Sequence, residues 1–310
     1  MIKYECKTIN RLIKIVFNGE EDMAKLFGII DIGSNSVRLM ISDGEKSLKK
    51  YVNTTKLAEG LAKTGVLNDF AMERSLQAVC EFVQMAQKQN AQVHIFATEA
   101  VRSAKNGNVF TDKIKELTGQ VVDIVCGDME AKLGFTGASN GQNVCVVDIG
   151  GASTEIVCGD KGKILYGKSV PIGAVRLLDN CGEDEELLTK YISDNLLCYG
   201  KVPKMDKLIA IGGTASTIVS VLLEMSEYDS DRVHNFMLYK QYVIDVYNKI
   251  KNTPKDKRDS IIGLVPGRRD IIVGAAFELA KIMEMLGYDY LYVSENDNLE
   301  GYLMLNKSNW

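Results

Sequence analysis

Apolar residues in this chain fall largely into runs of strand length, broken by small or charged residues, and the runs alternate with stretches whose apolar positions recur at helical spacing. Phe27 to Asp31 and Val37 to Ile41 are two such runs, separated by Gly33-Ser34-Asn35-Ser36, which predicts a strand, a tight turn and a returning strand. Met23 is the earliest start for the first of these strands. Lys46 to Val52 reads as a third strand. Asp69 can cap a helix running to about Gln89, with Met72, Leu76, Val79, Cys80, Val83 and Ala86 on one face. A buried strand at Val93 to Ala97, a helix around Phe110 to Leu117, a strand at Val121 to Cys126 and a helix from Asp128 complete an alternating α/β lobe.

The opening pattern then returns. Val144-Cys-Val-Val-Asp148-Ile-Gly150-Gly-Ala-Ser153 aligns without a gap on Phe27-Gly-Ile-Ile-Asp31-Ile-Gly33-Ser-Asn-Ser36, and a second apolar run, Ile156 to Cys158, follows it. Strands at Glu155 to Cys158 and Lys163 to Val170 and helices near Ala174 to Asp179 and Glu185 to Leu197 come next. Lys207 to Ile211 is a strand emptying into Gly212-Gly213-Thr214-Ala215-Ser216, which opens a helix to about Glu224. Helices near Tyr239 to Ile250 and Asp270 to Leu286, a strand at Tyr290 to Ser294 and a helix from Asn298 close the chain. The expectation is an α/β protein of two lobes, residues 1–133 and 134–310, packed across a cleft with no low-complexity linker. Residues 1–22 carry no motif and read as a loosely attached arm or an upstream start.

Composition narrows the chemistry. With 310 residues, 46% hydrophobic and 25% charged, the chain is an ordinary globular protein able to bury a substantial core. No apolar stretch has membrane-spanning length, and the N-terminus lacks a signal peptide's pattern, so a cytoplasmic location without a membrane partner is expected. The 7 cysteines include no Cys-x-x-Cys and sit mostly in apolar patterns, as reduced core residues do. Only His94 and His234 are present, which disfavours a histidine zinc site and a Ser-His-Asp or Cys-His mechanism. A net charge of -4 argues against nucleic acid as a partner, and any polyanion must meet local positive charge.

An acid at the end of a buried strand, followed by small residues whose N–H groups point into one concavity, suits a phosphate or its metal ion. Asp31 and Asp148 hold equivalent places in the two turns, and together could hold Mg²⁺ through oxygen or water ligands; a single copy would more simply cap its own turn. Ser34, Asn35 and Ser36, and Gly150, Gly151, Ala152, Ser153 and Thr154, would supply donors to phosphoryl oxygens. Gly213 and Thr214, at a strand-to-helix junction, make a third anion-binding corner. Arg102, after a strand end, can fork onto a phosphate, with Arg38, Arg176, Arg268 and Arg269 as further candidates. Glu130, at a helix start, is placed either to take a proton from an attacking water or simply to face the helix dipole.

Taken together, these stretches resemble the exopolyphosphatase/guanosine pentaphosphate phosphohydrolase family of the actin-like superfold. The segments that carry the likeness start at Asp31 (DIGSNSVRLMI), Ala97 (ATEAVRSAKN), Cys126 (CGDMEAKLGF), Val146 (VVDIGGASTEIV), Ser169 (SVPIGAVRL), Ile211 (IGGTAST), Gly263 (GLVPGRRDIIVGAA) and Val293 (VSENDNLEGYL), in family order. The resemblance implies two ribonuclease-H-like domains and hydrolysis of a terminal phosphoanhydride in inorganic polyphosphate or guanosine pentaphosphate. It implies Glu130 as catalytic glutamate, Asp148 and Glu155 as acids tied to a metal and the nucleophilic water, and Arg102 as a phosphate ligand. Mg²⁺ is the implied cofactor, with another divalent ion or K⁺ in its place as the alternative. Three departures stand out: Met129-Glu130 where the family has paired acids, Gly150-Gly151-Ala152 where it has three glycines, and His234-Asn235 where a His-Gly pair is common. The chain also stops after the second lobe, which suggests shorter polyphosphate substrates or less processive cleavage. A small-molecule kinase and a slowly hydrolysing phosphate sensor are the competing classes. A homodimer would use the apolar helix near Ile271 to Met285.

Overall fold

The structure, a computed structural model, describes residues 25–310. The readings for residues 1–22 and the strand start at Met23 lie outside the described residues. The first sheet is built from β1 (Phe27–Ile32), β2 (Ser36–Ser42), β3 (Ser47–Thr54), β4 (Gln92–Ala97) and β5 (Val122–Ile124), in the order β3-β2-β1-β4-β5. β1, β2 and β3 form an antiparallel meander, and β4 and β5 run parallel to β1. Every residue of β1 is buried, as a central strand covered on both faces requires, whereas edge strand β3 has no fully buried residue. Helices α1 (Leu61–Thr64), α2 (Asp69–Gln87), α3 (Glu99–Ser103) and α4 (Gly107–Thr118) supply the crossovers, and α5 (Gly127–Ser139) leads to the second lobe. The α2 cap is Asn68 rather than Asp69: the Asn68 side chain accepts the Phe70 N–H at 2.9 Å, leaving Asp69 in the first turn.

The second lobe contains β6 (Val144–Ile149), β7 (Thr154–Asp160), β8 (Lys163–Val170), α6 (Ala174–Cys181), α7 (Glu185–Leu196), β9 (Lys207–Ile211), α8 (Gly212–Leu222), α9 (Ser230–Val233), β10 (Met237–Tyr239), α10 (Lys240–Lys251), α11 (Ile272–Leu286), β11 (Tyr290–Ser294) and α12 (Asn298–Asn306). Its sheet runs β10-β11-β9-β6-β7-β8. Apart from the short antiparallel edge strand β10, this repeats the order of the first sheet, so the ribonuclease-H-like layout occurs twice. Both duplicated turns close with the same hydrogen bond: the Gly33 N–H donates to the Ser36 carbonyl and the Gly150 N–H to the Ser153 carbonyl, each at 3.0 Å.

α5 and α12 lie between the sheets. Ala131, Phe135 and Ala138 of α5 pack on Val144, Val146, Val157 and Ile209 of the second sheet. Leu133 joins Leu299, Tyr302 and Leu303 of α12 against Phe27, Ile29, Met40 and Phe96 of the first. The two helices cross at backbone contact, since a Cβ on Gly137 would lie 2.1 Å from the Asp297 carbonyl oxygen and one on Gly301 1.9 Å from that of Leu133. The expected boundary between residues 133 and 134 therefore falls inside α5, and the last helix returns to the first sheet. α11 turns most of its apolar residues into the core, Val273, Ala276, Ile282 and Met283 being fully buried, while Met285 is exposed. Among the described residues no helix is long and apolar enough to cross a membrane.

Candidate active site

The two duplicated turns meet edge to edge. A Cβ on Gly151 would lie 2.6 Å from the Ser34 Cβ and 3.2 Å from the Asn35 nitrogen, so only glycine allows this approach. Their carbonyls are drawn away from each other. The Ser34 carbonyl accepts from Ala58 and the Asn35 carbonyl from Thr55 and Lys56, while the Gly150 carbonyl accepts from Ala174 and the Gly151 carbonyl from Val175 and Arg176. In a trans peptide the N–H opposes the C=O. The N–H groups of Asn35, Ser36, Gly151 and Ala152 thus turn toward the space between the lobes, a concavity suited to an anion.

That space is a cavity of about 80 Å³, whose lining includes Asp31, Ser34, Asn35, Ser36, Glu130 and Asp148. Gly150, Gly151, Ser153 and Gly213 also border it, with Arg38, Arg268 and Asn298. The duplicated aspartates open on one volume but have different partners. In the strand register Asp31 stands opposite Arg38, whereas Asp148 stands opposite Glu155. Arg38 forms ion pairs with Asp31 and with Asp297, the N-cap of α12. Burial raises the Asp31 pKa and Arg38 opposes that rise; Asp297 is held low because Arg38 and Lys50 outweigh its burial. Asp31 Oδ1 remains buried without a hydrogen-bond partner.

Asp148 has no cation of its own. Its Oδ2 accepts from Asn298 Nδ2 at 3.2 Å, and burial together with Asp297 and Asp31 pushes it up to about 7, Arg38 notwithstanding. Glu130, near the start of α5, is pushed up to about 8 by burial, with Asp148 and Asp31 adding to the rise and Arg102 opposing it. Glu155 is raised well above the carboxylate range by burial and by Glu130 and Asp148, although Ser169 Oγ donates to its Oε1 at 2.6 Å. Asp148 raises the proton affinity of Glu130, and both raise that of Glu155, an accumulation of acids that favours a bound cation. Even so, among the described residues no three His, Cys, Asp or Glu side chains converge as ligands for a metal. Of the expected set, Asp31 pairs with Arg38, Asp148 accepts from Asn298 and Glu155 accepts from Ser169.

Arg268 is the cation the cavity does hold in reserve. Its guanidinium lies flat on Gly213, where a Cβ would be 1.7 Å from Nη2. Among the described residues it forms no ion pair, and burial followed by the neighbouring Arg38 lowers it to about 10. In sequence Arg268 is one arginine among several; only the tertiary fold places it in the cavity beside the Gly212-Gly213 corner, with no ion pair among the described residues.

Several expected residues have other employment. The Thr154 hydroxyl donates to Glu278 Oε1 at 2.7 Å in the core, since alternation along β7 turns Thr154 away from the cleft side. The Thr214 hydroxyl is turned to the Ile149 carbonyl at 3.3 Å. Arg102 borders a neighbouring recess with Glu99, Cys126, Ser153 and Ser169, not the main cavity. Its Nη1 donates to Glu130 Oε2 at 3.1 Å and to the Val125 carbonyl at 2.5 Å, so it fixes the glutamate. Arg176 Nε donates to the Ala152 carbonyl at 2.8 Å, and Arg269 pairs with Asp259.

The three departures from the family pattern prove local. Met129 is on the exposed side of α5. The Ala152 methyl is buried in the main core and does not crowd the cavity. Asn235 takes the left-handed conformation, φ 63°, that a glycine would favour and asparagine tolerates, while His234 Nδ1 accepts the Glu295 N–H at 3.2 Å.

Two ribonuclease-H-like lobes closing on a pair of amide-lined turns define a phosphoryl-binding α/β protein. Residues 30–307 match the model of the Ppx/GppA phosphatase family, and the chain belongs to that family. It is 30% identical to a bifunctional 3-dehydroquinate synthase/phosphatase of Fusobacterium nucleatum over 98% of this chain and 53% of that protein. It therefore spans about half the length of that relative. It is 29% identical to exopolyphosphatase 2 of Mycobacterium tuberculosis, over 88% of this chain and 95% of that one. A crystal structure of the Ppx/GppA family member of Aquifex aeolicus superposes with a TM-score of 0.75 at 28% identity, covering 92% of this chain and 99% of that one.

Proposed function

We propose that the cleft hydrolyses the terminal phosphoanhydride of inorganic polyphosphate; the alternative substrate is guanosine pentaphosphate, whose 5′ end presents the same chain of phosphates. The observation that carries this reading is Arg268, a half-buried cation that shares the cavity lining with the two glycine turns and forms no ion pair among the described residues. A guanidinium partly withdrawn from water and not engaged in an ion pair gains from a phosphoryl oxygen, which accepts charge-assisted hydrogen bonds. Family membership supports the same chemistry. So does the likeness to exopolyphosphatase 2 of Mycobacterium tuberculosis.

In this reading the terminal phosphoryl group lies among the N–H groups of Asn35, Ser36, Gly151 and Ala152, with Arg268 on its oxygens. Glu130, fixed by Arg102, takes a proton from a water aimed at the phosphorus. The new P–O bond forms as the bridging P–O bond breaks, releasing inorganic phosphate and a chain shortened by one unit. Phosphoryl transfer of this kind depends on positioning and charge neutralisation more than on covalent catalysis. Mg²⁺ fits the donor set because it keeps several waters and takes one or two carboxylates plus substrate oxygens; Asp148 and Glu155 are the residues that would hold it, and Asp31 would help orient its waters. A bound divalent ion would neutralise substrate charge. The setting is taken as cytoplasmic.

The test is phosphate release from polyphosphate of defined length, guanosine pentaphosphate and ATP, with and without Mg²⁺. Release of inorganic phosphate from polyphosphate or guanosine pentaphosphate, reduced at least about tenfold in Arg268→Ala, is expected for the loss of a charged contact. Failure of the wild-type protein to hydrolyse either one in the presence of Mg²⁺ overturns the proposal.

A further inference from the structure

The hairpin that carries Asp148 and Glu155 also holds chemistry that hydrolysis does not use. Cys145 on β6 and Cys158 on β7 are direct partners in the ladder, and both are free and fully buried. In an antiparallel pair, hydrogen-bonded and non-hydrogen-bonded positions alternate. The Gly150/Ser153 position is hydrogen-bonded. Counting down the ladder, Asp148/Glu155 and Val146/Val157 share that type, so Cys145/Cys158 falls at a non-hydrogen-bonded position. There the Cα atoms stand about 4.5 Å apart and the two side chains share one face. Disulfides accept Cα separations of about 4.4–6.8 Å, so a bridge needs little backbone movement.

Two further features bear on reactivity. The β7/β8 register slips between Cys158 and Gly159, and such a bulge frees a strand locally. The Cys158 thiol donates to the Pro203 carbonyl at 3.6 Å, in the stretch 200–206 that has no helix or strand. The neighbouring Cys145 draws the Cys158 pKa below its usual value, while Cys158 and burial raise that of Cys145.

We propose that Cys145 and Cys158 are a reversible redox-modification site, closing a cross-strand disulfide with a peroxide as the oxidant. Cys158, beside the bulge and the stretch 200–206, gives up its proton and attacks one peroxide oxygen. The O–O bond breaks, Cys158 becomes a sulfenic acid, and hydroxide leaves and is protonated to water. Cys145 then attacks the sulfenic sulfur; the S–S bond forms as the S–O bond breaks, and the Cys145 proton leaves with the oxygen as a second water. Two thiols lose two electrons and the peroxide is reduced to two waters. A small dithiol reverses the step by exchange. The bridge ties the far end of the strand pair whose near end forms the phosphate turn.

Trypsin keeps both cysteines on one peptide, because no Lys or Arg lies between Leu133 and Asp160. The folded wild-type protein is treated with hydrogen peroxide, then denatured in excess iodoacetamide, digested and analysed by mass spectrometry. The expected product is the peptide Leu133 to Lys161 two hydrogens lighter and unalkylated, returning to the doubly alkylated form after dithiothreitol. In Cys145→Val the light peptide should be absent and Cys158 should appear as an oxidised sulfur acid. The proposal is overturned if both cysteines stay alkylatable after oxidation, if either links to a different peptide instead, or if wild-type Cys158 goes directly to irreversible sulfur acids.

Discussion

Replacing Glu130 by glutamine removes the acid best placed to accept a proton while leaving its shape in the cleft. The glutamine oxygen can still accept from Arg102 Nη1, now 3.1 Å from Glu130 Oε2, so the side chain should keep its place. The capacity to take a proton from water is lost, together with the negative charge that pairs with Arg102. A positioned general base contributes about 10²–10⁴ in rate. At about 1.36 kcal/mol per tenfold, that is roughly 2.7–5.4 kcal/mol of barrier. Arg268 and the turn amides are untouched, so KM should move much less than kcat. The pH profile gives a second signature. Burial, with Asp148 and Asp31, holds Glu130 near 8 against the lowering effect of Arg102. The base works only when ionised, so wild-type turnover should rise with pH through that region and level off above it. A divalent ion beside Asp148 moves the midpoint down, and the glutamine variant should show no such rise. Initial rates of phosphate release, measured on both sides of pH 8, check this. The reasoning is refuted if Glu130→Gln keeps more than about a tenth of wild-type turnover or shows the same pH midpoint.

Arg102→Met removes the cation that lowers the Glu130 pKa, so the rate profile should shift to higher pH; an unchanged or lower midpoint would show that Arg102 does not act through Glu130. In Gly213→Ala the added methyl would lie 1.7 Å from Arg268 Nη2 and must displace the guanidinium. KM for polyphosphate should then rise about 10- to 100-fold, as for the loss of a charged hydrogen bond, with circular dichroism unchanged. Glu278, buried beside Thr154, is raised from 4.5 to about 8, chiefly by burial. Its contribution to stability is complete below pH 4.5 and is lost as pH rises toward 8, because the unfolded chain ionises first. Glu278→Gln, which can still accept from Thr154, should flatten that decline by an amount on the order of a few kcal/mol, read as urea midpoints on either side of the window.

Much of this protein was already present in its linear order. The repeated Asp-Ile-Gly phrase predicts two equivalent hairpins because strand alternation and a glycine turn are local properties, and both turns close on the same hydrogen bond. Strand and helix positions followed for the same reason, apart from short elements such as α1, α3 and β10 whose pattern is too brief to register. Which charges would meet was a different matter. Asp31 and Asp148 are twins in sequence, yet one faces Arg38 and the other Glu155, and Arg38 is shared with Asp297 from the far end of the chain. Thr154 and Thr214 have the right chemistry for a phosphate but spend their hydroxyls on Glu278 and Ile149. Arg268 acquires its importance only where Gly213 lets its guanidinium lie against the helix start in the cavity, with no ion pair among the described residues. Periodicity governs neighbours along the chain, whereas burial and Coulomb interactions depend on distances that exist only after the lobes have packed, and those distances decided which ionisable groups face the cleft.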